Sequence, residues 1–336
     1  MIGNTNIRTL AKELNLSIGT VSKALRNSYE ISDQTKEKVL ALAKQLNYTP
    51  NPYASSLRRK KSNTIGVVIP EVADSFFSQT IRGIESVAQK KKYHVLIHLT
   101  YESFSKEEAI LKDFNSGRVD GVLVSVATET SNSDHINELR DKNIPVVFFD
   151  RVLDDIATYK VSTNDFESCR KATTFLIEKG CRRLAYLSIS KELSINRKRM
   201  EGFQKAIEEN RDKIRSSVVV ECCNDNNKNY ETVKKIMKLN NHPDGMIASV
   251  EKLTSPIYLV CKDLNLNIPQ KIKVISFSNL ETASILNPAL TTVTQPAYEM
   301  GKMAADLLFK IIEKKKHQPK NEHIVIPSSL TVRDST

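Results

Sequence analysis

Between Ile7 and Leu25 apolar residues recur twice at helical spacing, first at Leu10, Ala11 and Leu14 and then at Val21, Ala24 and Leu25. The pattern predicts two short amphipathic helices around a tight turn. Asn15 falls at the turn and tolerates a left-handed backbone; Ser17 is placed to cap a second helix starting at about Ile18. A third helix is expected over Asp33 to Leu46, capped by Ser32 and carrying Val39, Leu42, Ala43 and Leu46 on one face. Ala11 is small enough to let the first two helices cross closely, so the three can share one core.

Beyond about residue 63 the pattern changes. Unbroken apolar runs appear at Ile65 to Ile69, Val95 to Leu99, Gly121 to Val126, Val146 to Phe149, Leu184 to Ile189, Val218 to Val220, Gly245 to Ser249 and Val274 to Phe277, with helical periods between most of them. Strands that alternate with helices form parallel sheets, and such strands are apolar on both faces because helices cover both. Two sheets of roughly a hundred residues each fit the length, since one core seldom serves more than about 250 residues.

Charge is concentrated at the amino terminus. Residues 1 to 60 hold six Lys and four Arg against four Asp plus Glu, a net of +6 out of +11 for the chain. A basic patch beside two helices joined by a turn points to duplex DNA, whose phosphates reward it through counterion release. The second helix is the candidate reader of the major groove, with Ser17, Ile18, Gly19, Thr20, Ser22, Lys23 and Arg26 at or beside its outward face. Lys23 is the best placed of these to donate to a guanine edge. Further on, Pro52 can open a short helix over Ala54 to Leu57, too short to be stable without a partner. Leu57 then suits a wedge into the minor groove, with Ala54 beside it and Arg58 to Lys61 near phosphates.

Catalytic classes find little support. The six His lie at 94, 98, 135, 242, 317 and 323 without an HExxH pattern; the five Cys, at 169, 181, 222, 223 and 261, show no paired CxxC spacing. There is no GxGxxG after a strand, no phosphate-binding GK[ST] loop and no GxSxG elbow. Neither a catalytic residue, a metal nor a cofactor is expected. No apolar stretch reaches about 20 residues. Together with the odd cysteine count this predicts a reduced cytoplasmic protein bound to DNA rather than to a membrane.

Several segments, in order, resemble the LacI/GalR family of bacterial transcription regulators: LAKELNLSIGTVSKALRN, LNYTPNPYASSLRRKKSNTIGVVIP, FFDR ending at Arg151, RMEGF starting at Arg199, and PALTTVTQP from Pro288 to Pro296. The resemblance covers about residue 7 to 330. It implies a small all-α helix-turn-helix headpiece (1–49), a hinge helix and linker (50–62), and an α/β effector domain of two lobes like the periplasmic sugar-binding proteins. The lobes would comprise 63–162 with 292–323 and 163–291 with 324–336, joined by three crossovers. It further implies a homodimer on two-fold symmetric operator DNA, its affinity set by a small molecule in the cleft between the lobes.

Carried over by position, the groove-reading roles fall to the residues named above, with Ala54 and Leu57 in the minor groove. Many members have Arg where this chain has Lys23, and Gly19 offers no side chain. For the cleft the resemblance points to Asp74, Phe76, Phe77, Asp150, Arg151, Arg199, Glu251 and Ser278. One of the two Phe is expected to be exposed to ligand, and Arg199 suits a carboxylate or a vicinal diol. Ser278 stands where many sugar-binding members have an acidic residue, and Val250-Glu251 replaces their Asn-Asp. Within a general expectation of a sugar, sugar acid or phosphosugar effector, a pocket that lost one carboxylate and kept Arg199 shifts toward neutral or anionic ligands, which points to a sugar acid, a phosphosugar or another oxygen-rich anion. Residues such as Ile81, Ile84, Met300, Met303 and Leu307 are candidates for the dimer contact, although several must be core. Two other readings remain. One is a catabolite-control type regulator governed by a phosphorylated carrier protein, with Lys90 to Lys92 as the candidate receiving patch; the other is a sugar-binding module without DNA function.

Overall fold

The structure, a computed structural model, describes residues 6–48, 61–190, 193–313 and 322–336. The chain divides into two compact units, Met1–Ser62 and Asn63–Thr336. The expected hinge helix, with Ala54, Leu57 and Arg58, lies outside the described residues.

Among the described residues the first unit forms three helices, α1 (Ile7–Glu13), α2 (Ile18–Leu25) and α3 (Asp33–Gln45). Each starts where a side chain supplies the acceptor that a first-turn amide lacks. Asn6 accepts from the amides of Arg8 and Thr9, Ser17 from that of Thr20, and Ser32 from that of Thr35. Asn15 takes φ 49° at the turn, a conformation that Asn tolerates better than most residues. Leu10, Ala11, Val21, Ala24, Val39 and Ala43 form the buried core, with Leu14, Leu25 and Leu46 at its margin.

The second unit contains two six-stranded sheets. Sheet one runs β11-β5-β4-β3-β1-β2 and is parallel throughout; its strands are β1 (Thr64–Ile69), β2 (His94–Leu99), β3 (Gly121–Val124), β4 (Val146–Phe149), β5 (Lys160–Thr163) and β11 (His323–Ile326). Sheet two runs β12-β10-β9-β8-β6-β7, with β6 (Arg183–Ser188), β7 (Ser216–Glu221), β8 (Gly245–Ala248), β9 (Lys273–Phe277) and β10 (Thr291–Thr294) parallel and β12 (Ser329–Thr331) antiparallel at one edge. Helices cover the sheets: α4 (Ser75–Lys90), α5 (Phe104–Phe114), α6 (Asp134–Asp141) and α11 (Ala297–Glu313) the first, and α7 (Asp165–Glu178), α8 (Ser194–Glu209), α9 (Asn226–Met237) and α10 (Thr254–Asp263) the second.

Successive residues of one strand serve opposite cores, which is why the apolar runs are unbroken. Ile65, Val67 and Ile69 join one cluster and Val68 another; Ala185 and Leu187 face one way, Leu184 and Tyr186 the other. The edge strands depart from this. β2 is only half-buried and most of β7 is exposed, because an edge strand has a neighbour on one side only.

The three crossovers follow the ends of β5, β10 and β11. Residues 292–294 therefore belong to the second sheet, and 163 and 324–326 to the first, which corrects the boundaries expected from sequence. A strand keeps its pairing to its last ladder bond, so the chain changes lobe after it and not within it.

Two helix pairs approach to backbone contact. A Cβ on Gly83 would lie 2.1 Å from the Tyr298 carbonyl oxygen, one on Gly301 would lie 2.0 Å from that of Thr80, and one on Gly202 would lie 2.2 Å from that of Phe166. Only glycine permits these crossings of α4 with α11 and of α7 with α8. Ile84, Met300 and Leu307 are consequently core residues rather than free contact surface; Ile81 and Met303 are half-buried. Gly301→Ala is expected to destabilise the second unit by at least about 2 kcal/mol, because the clash is with backbone that cannot turn aside. Urea denaturation of the purified chain checks this; an unchanged midpoint would refute it.

Candidate functional site

In the headpiece, Val21 and Ala24 turn inward, and Ile18, Gly19, Lys23 and Arg26 are exposed on the rest of α2; Thr20 and Ser22 are half-buried. Ser17 is committed to capping: its Oγ accepts from the Thr20 amide at 3.0 Å and lies 2.8 Å from Thr20 Oγ1. Arg26 Nε donates to the Ser22 carbonyl at 2.9 Å, holding its guanidinium along the helix. Lys23 forms an ion pair with Glu30. Positive charge and a rigid helix thus share one exposed face.

In the second unit, all eight residues expected in the cleft line a single space between the lobes, joined there by Phe277, Asn279 and Gln295 among others. The arrangement follows from topology, because loops at the carboxyl ends of parallel strands converge where the strand order reverses. Asp74 follows β1, Asp150 and Arg151 follow β4, Glu251 follows β8, and Ser278 and Asn279 follow β9. Gln295 sits in the second crossover and donates at 3.3 Å to Oγ1 of Thr163, the last residue of β5 before the first crossover. Sequence reasoning did not assign Gln295 a site role, although the TQP stretch that contains it was visible.

Arg199 lies on α8 and is buried to 2% exposure. Its Nε donates to Asp165 Oδ1 at 2.7 Å, its Nη1 donates to the Ser249 carbonyl at 2.6 Å, and the guanidinium stacks 4.1 Å from the Phe277 ring centre. Nη2 has no partner among the described residues. The fork is thus fixed on one side and, on the other, buried with an unused donor. Arg151 is committed elsewhere: Nη1 donates to both Glu102 carboxylate oxygens, at 2.9 and 2.7 Å. Phe76 and Phe77 meet edge to face, and both are buried in the first lobe's core while lining the cleft space.

The carboxylates decide the charge of the site. Burial, reinforced by Glu251, pushes Asp74 up to about 7, against the backbone amide of Phe76 that it caps at 2.8 Å. Asp150, in a left-handed backbone conformation, is raised to about 6 by burial, with Arg151 and Arg199 pulling the other way. Glu251 joins the lobes. One oxygen accepts from the amide and hydroxyl of Ser75 at 3.2 and 2.8 Å; the other accepts from the Ser278 hydroxyl at 2.7 Å and the Asn279 amide at 3.0 Å. The acidic group missing at Ser278 is therefore replaced by one from the neighbouring strand. Gln79 and Asn279 exchange two hydrogen bonds of 3.1 Å, and Lys252 pairs with Glu71 at 2.7 Å. The space left is about 30 Å³, room for a water or two.

Two raised carboxyls give the stability of the second unit a pH dependence. A buried acid whose folded pKa lies above its ordinary value binds a proton that the unfolded chain does not, so its contribution is present at low pH and lost as pH rises through the folded value. For Asp74 that window runs from about 4 to about 7. The thermal midpoint of the second unit should fall as pH is raised from 5 to 8, and Asp74→Asn should flatten the profile; an identical slope in the variant would refute the assignment.

Among the described residues no group of His, Cys, Asp and Glu is placed to hold a metal ion. Burial pushes the Cys169 thiol up to about 12 and that of Cys261 to about 11, the reverse of an activated nucleophile. No described helix is long and apolar enough to cross a membrane.

Comparison with known proteins settles the family. Residues 6–51 match the family described as bacterial regulatory proteins, lacI family, and residues 173–336 match the periplasmic binding protein-like domain. A ribose operon repressor of Halalkalibacterium halodurans is 32% identical over 337 residues, 99% of this chain and 97% of its own. The chain belongs to the LacI family. It is accordingly a sequence-specific DNA-binding transcription regulator and not an enzyme, with a helix-turn-helix headpiece and a two-lobe effector domain. A catabolite control protein A of Priestia megaterium is also similar, 28% identical over 99% of both chains. Among solved structures, a lac repressor dimer bound to operator and an anti-inducer shares the fold at TM-score 0.84 and 21% identity, covering 98% of each chain.

Proposed function

We propose that this LacI-family regulator binds a two-fold symmetric operator as a homodimer, represses the adjoining genes, and changes its grip when a neutral, hydroxyl-rich small molecule occupies the cleft. α2 enters the major groove through Ile18, Gly19, Thr20, Ser22, Lys23 and Arg26, and the hinge residues Ala54 and Leu57 serve the minor groove with Arg58 beside the phosphates. The observation that carries the effector reading is the polarity of the cleft. Arg199 lines the cleft and holds an unused Nη2 donor for a ligand oxygen, while Asp74 and Asp150 offer acceptors for hydroxyls. Arg199 and Arg151 are each already neutralised, by Asp165 and Glu102, so acidic groups prevail and an added anion is disfavoured. A neutral sugar fits this balance better than a sugar acid or a phosphosugar. That one relative carries the name ribose operon repressor agrees with both the ligand class and the sign of control.

Glu251 we assign not to the ligand but to the lobes, as a latch between Ser75 and Ser278. An effector that prefers one arrangement of the lobes shifts DNA affinity by its difference in affinity for the two. Titration calorimetry with neutral sugars and their acids, alongside gel shifts at fixed salt on duplexes selected from a random pool, tests the proposal. Binding of a neutral sugar that alters the shift is expected. Equal, weak binding to every duplex under every condition would overturn it.

The carrier-protein reading has one observation in its favour beyond the matched catabolite control proteins. Lys90, Lys91 and Lys92 are all exposed at the end of α4, although Lys91 already pairs with Glu313 at 2.7 Å. Pull-down with a phosphorylated carrier protein, compared with its unphosphorylated form, separates the two readings.

A further inference from the structure

We propose that Lys23 and Glu30 act as one unit that reads a single G·C base pair, the ammonium donating to guanine and the carboxylate accepting from cytosine. The inference rests on α2 entering the major groove and adds to that reading an acidic residue as a determinant of specificity.

Glu30 follows α2 by five residues, in the loop before α3, and the backbone brings it back. Asn27 takes φ 53°, the Ser28 amide then donates to the Lys23 carbonyl at 3.0 Å, the Glu30 amide lies 3.4 Å from Ser28 Oγ, and Ile31 closes onto the Ser28 carbonyl at 3.3 Å. The carboxylate is thereby set against the Lys23 ammonium. Both side chains are about half exposed, 45% and 46%, a setting in which an ion pair adds little to stability. The fold therefore sets a carboxylate beside the Lys23 ammonium on the exposed side of α2.

A lone carboxylate near DNA meets only repulsion from phosphates, and it gains only by facing a base donor. In the major groove G·C presents two adjacent acceptors, guanine N7 and O6, and then one donor, the cytosine N4 amino group. An ammonium with a carboxylate beside it matches that order. On A·T the adenine N6 amino group falls where the ammonium needs an acceptor. A lysine without a fork is a point donor and discriminates poorly between acceptors; the carboxylate supplies the missing selectivity.

The test uses the full chain, with binding sites selected from random duplexes by the native protein. Each base pair of the selected half-site is then varied in competition assays for the native chain, Lys23→Ala, Glu30→Ala and Glu30→Gln, each checked by thermal melting. We expect one G·C position whose replacement by A·T costs about tenfold in the native chain, and that preference should collapse in both alanine variants. Other positions should keep theirs, and Glu30→Gln, which retains an oxygen acceptor, should fall between. If Glu30→Ala instead tightens binding to all duplexes alike, with a log–log salt slope steeper by about 0.9 per subunit and preferences unchanged, Glu30 is mere electrostatic drag and the proposal fails. It fails equally if the two alanine variants lose different positions. A native chain that selects no site at all would instead sink the major-groove reading on which the proposal rests.

Discussion

Arg199→Leu is expected to lower the stability of the second unit by about 3–5 kcal/mol and to abolish the effector response of DNA binding. The stability loss comes from Asp165. That carboxylate is buried to 1% side-chain exposure and is held by Arg199 Nε; its other oxygen already lacks a partner. Removing the arginine strands a charge in a dry site, and breaking a buried pair in this way typically costs about 3–5 kcal/mol, far more than the net worth of the intact pair. Asp165→Leu alone should be comparably damaging, for it strands the guanidinium. The double variant should recover much of the loss, since two apolar side chains replace two mutually dependent charges. Effector binding should not return with it, because the unused Nη2 donor is gone. Denaturation curves and calorimetry on the three variants separate the roles. A double variant that regained both stability and effector binding would show that Arg199 never touches ligand.

The headpiece was legible because its determinants are local. Caps at Ser17 and Ser32, the left-handed Asn15 and the two apolar stripes are all relations within a few residues, and local backbone sterics and hydrogen bonding decide them. The central strands were legible for a related reason, since burial on both faces leaves an unbroken apolar run. β5, β10 and β11 fall at the lobe boundaries that the resemblance implied and stood out in no unbroken apolar run, since they are short and carry Lys160, Ser162, Thr163, Thr291, Thr292 and His323; pairing, not composition, makes them strands. The resemblance supplied the list of cleft residues but not their bonds. Ser75 and Glu251 lie 176 positions apart, and nothing near either residue announces the other. Arg151 illustrates the same gap, as its pairing with Glu102 depends on how two loops converge. Spacing thus identified elements, whereas the electrostatics of the site depended on tertiary contacts.

Glu251→Ala is expected to open the cleft of the effector-free chain and to tighten effector binding by about tenfold. In the native chain one carboxylate accepts four hydrogen bonds, two from Ser75 on the first lobe and two from Ser278 and Asn279 on the second. A small molecule that enters must first break the contacts to one lobe. Hydrogen bonds to a charged group are worth about 1.5–3 kcal/mol each, but rehydration of the freed carboxylate and amides returns much of that, so a net latch of roughly 1.5 kcal/mol, or tenfold, is reasonable. The competent fraction of open chains rises by that factor when the latch is removed. Gln79 with Asn279 and Lys252 with Glu71 would still bridge the lobes, so closure should weaken without becoming impossible. Scattering should record the change directly: the effector-free variant should have a larger radius of gyration than the native chain and should contract more on binding. The alternative assignment, in which Glu251 itself grips ligand hydroxyls, makes the opposite prediction. If the alanine variant bound effector tenfold more weakly and its free dimensions stayed native, Glu251 would belong with Asp74 and Asp150 as a ligand contact, and the stable closed cleft would need another cause.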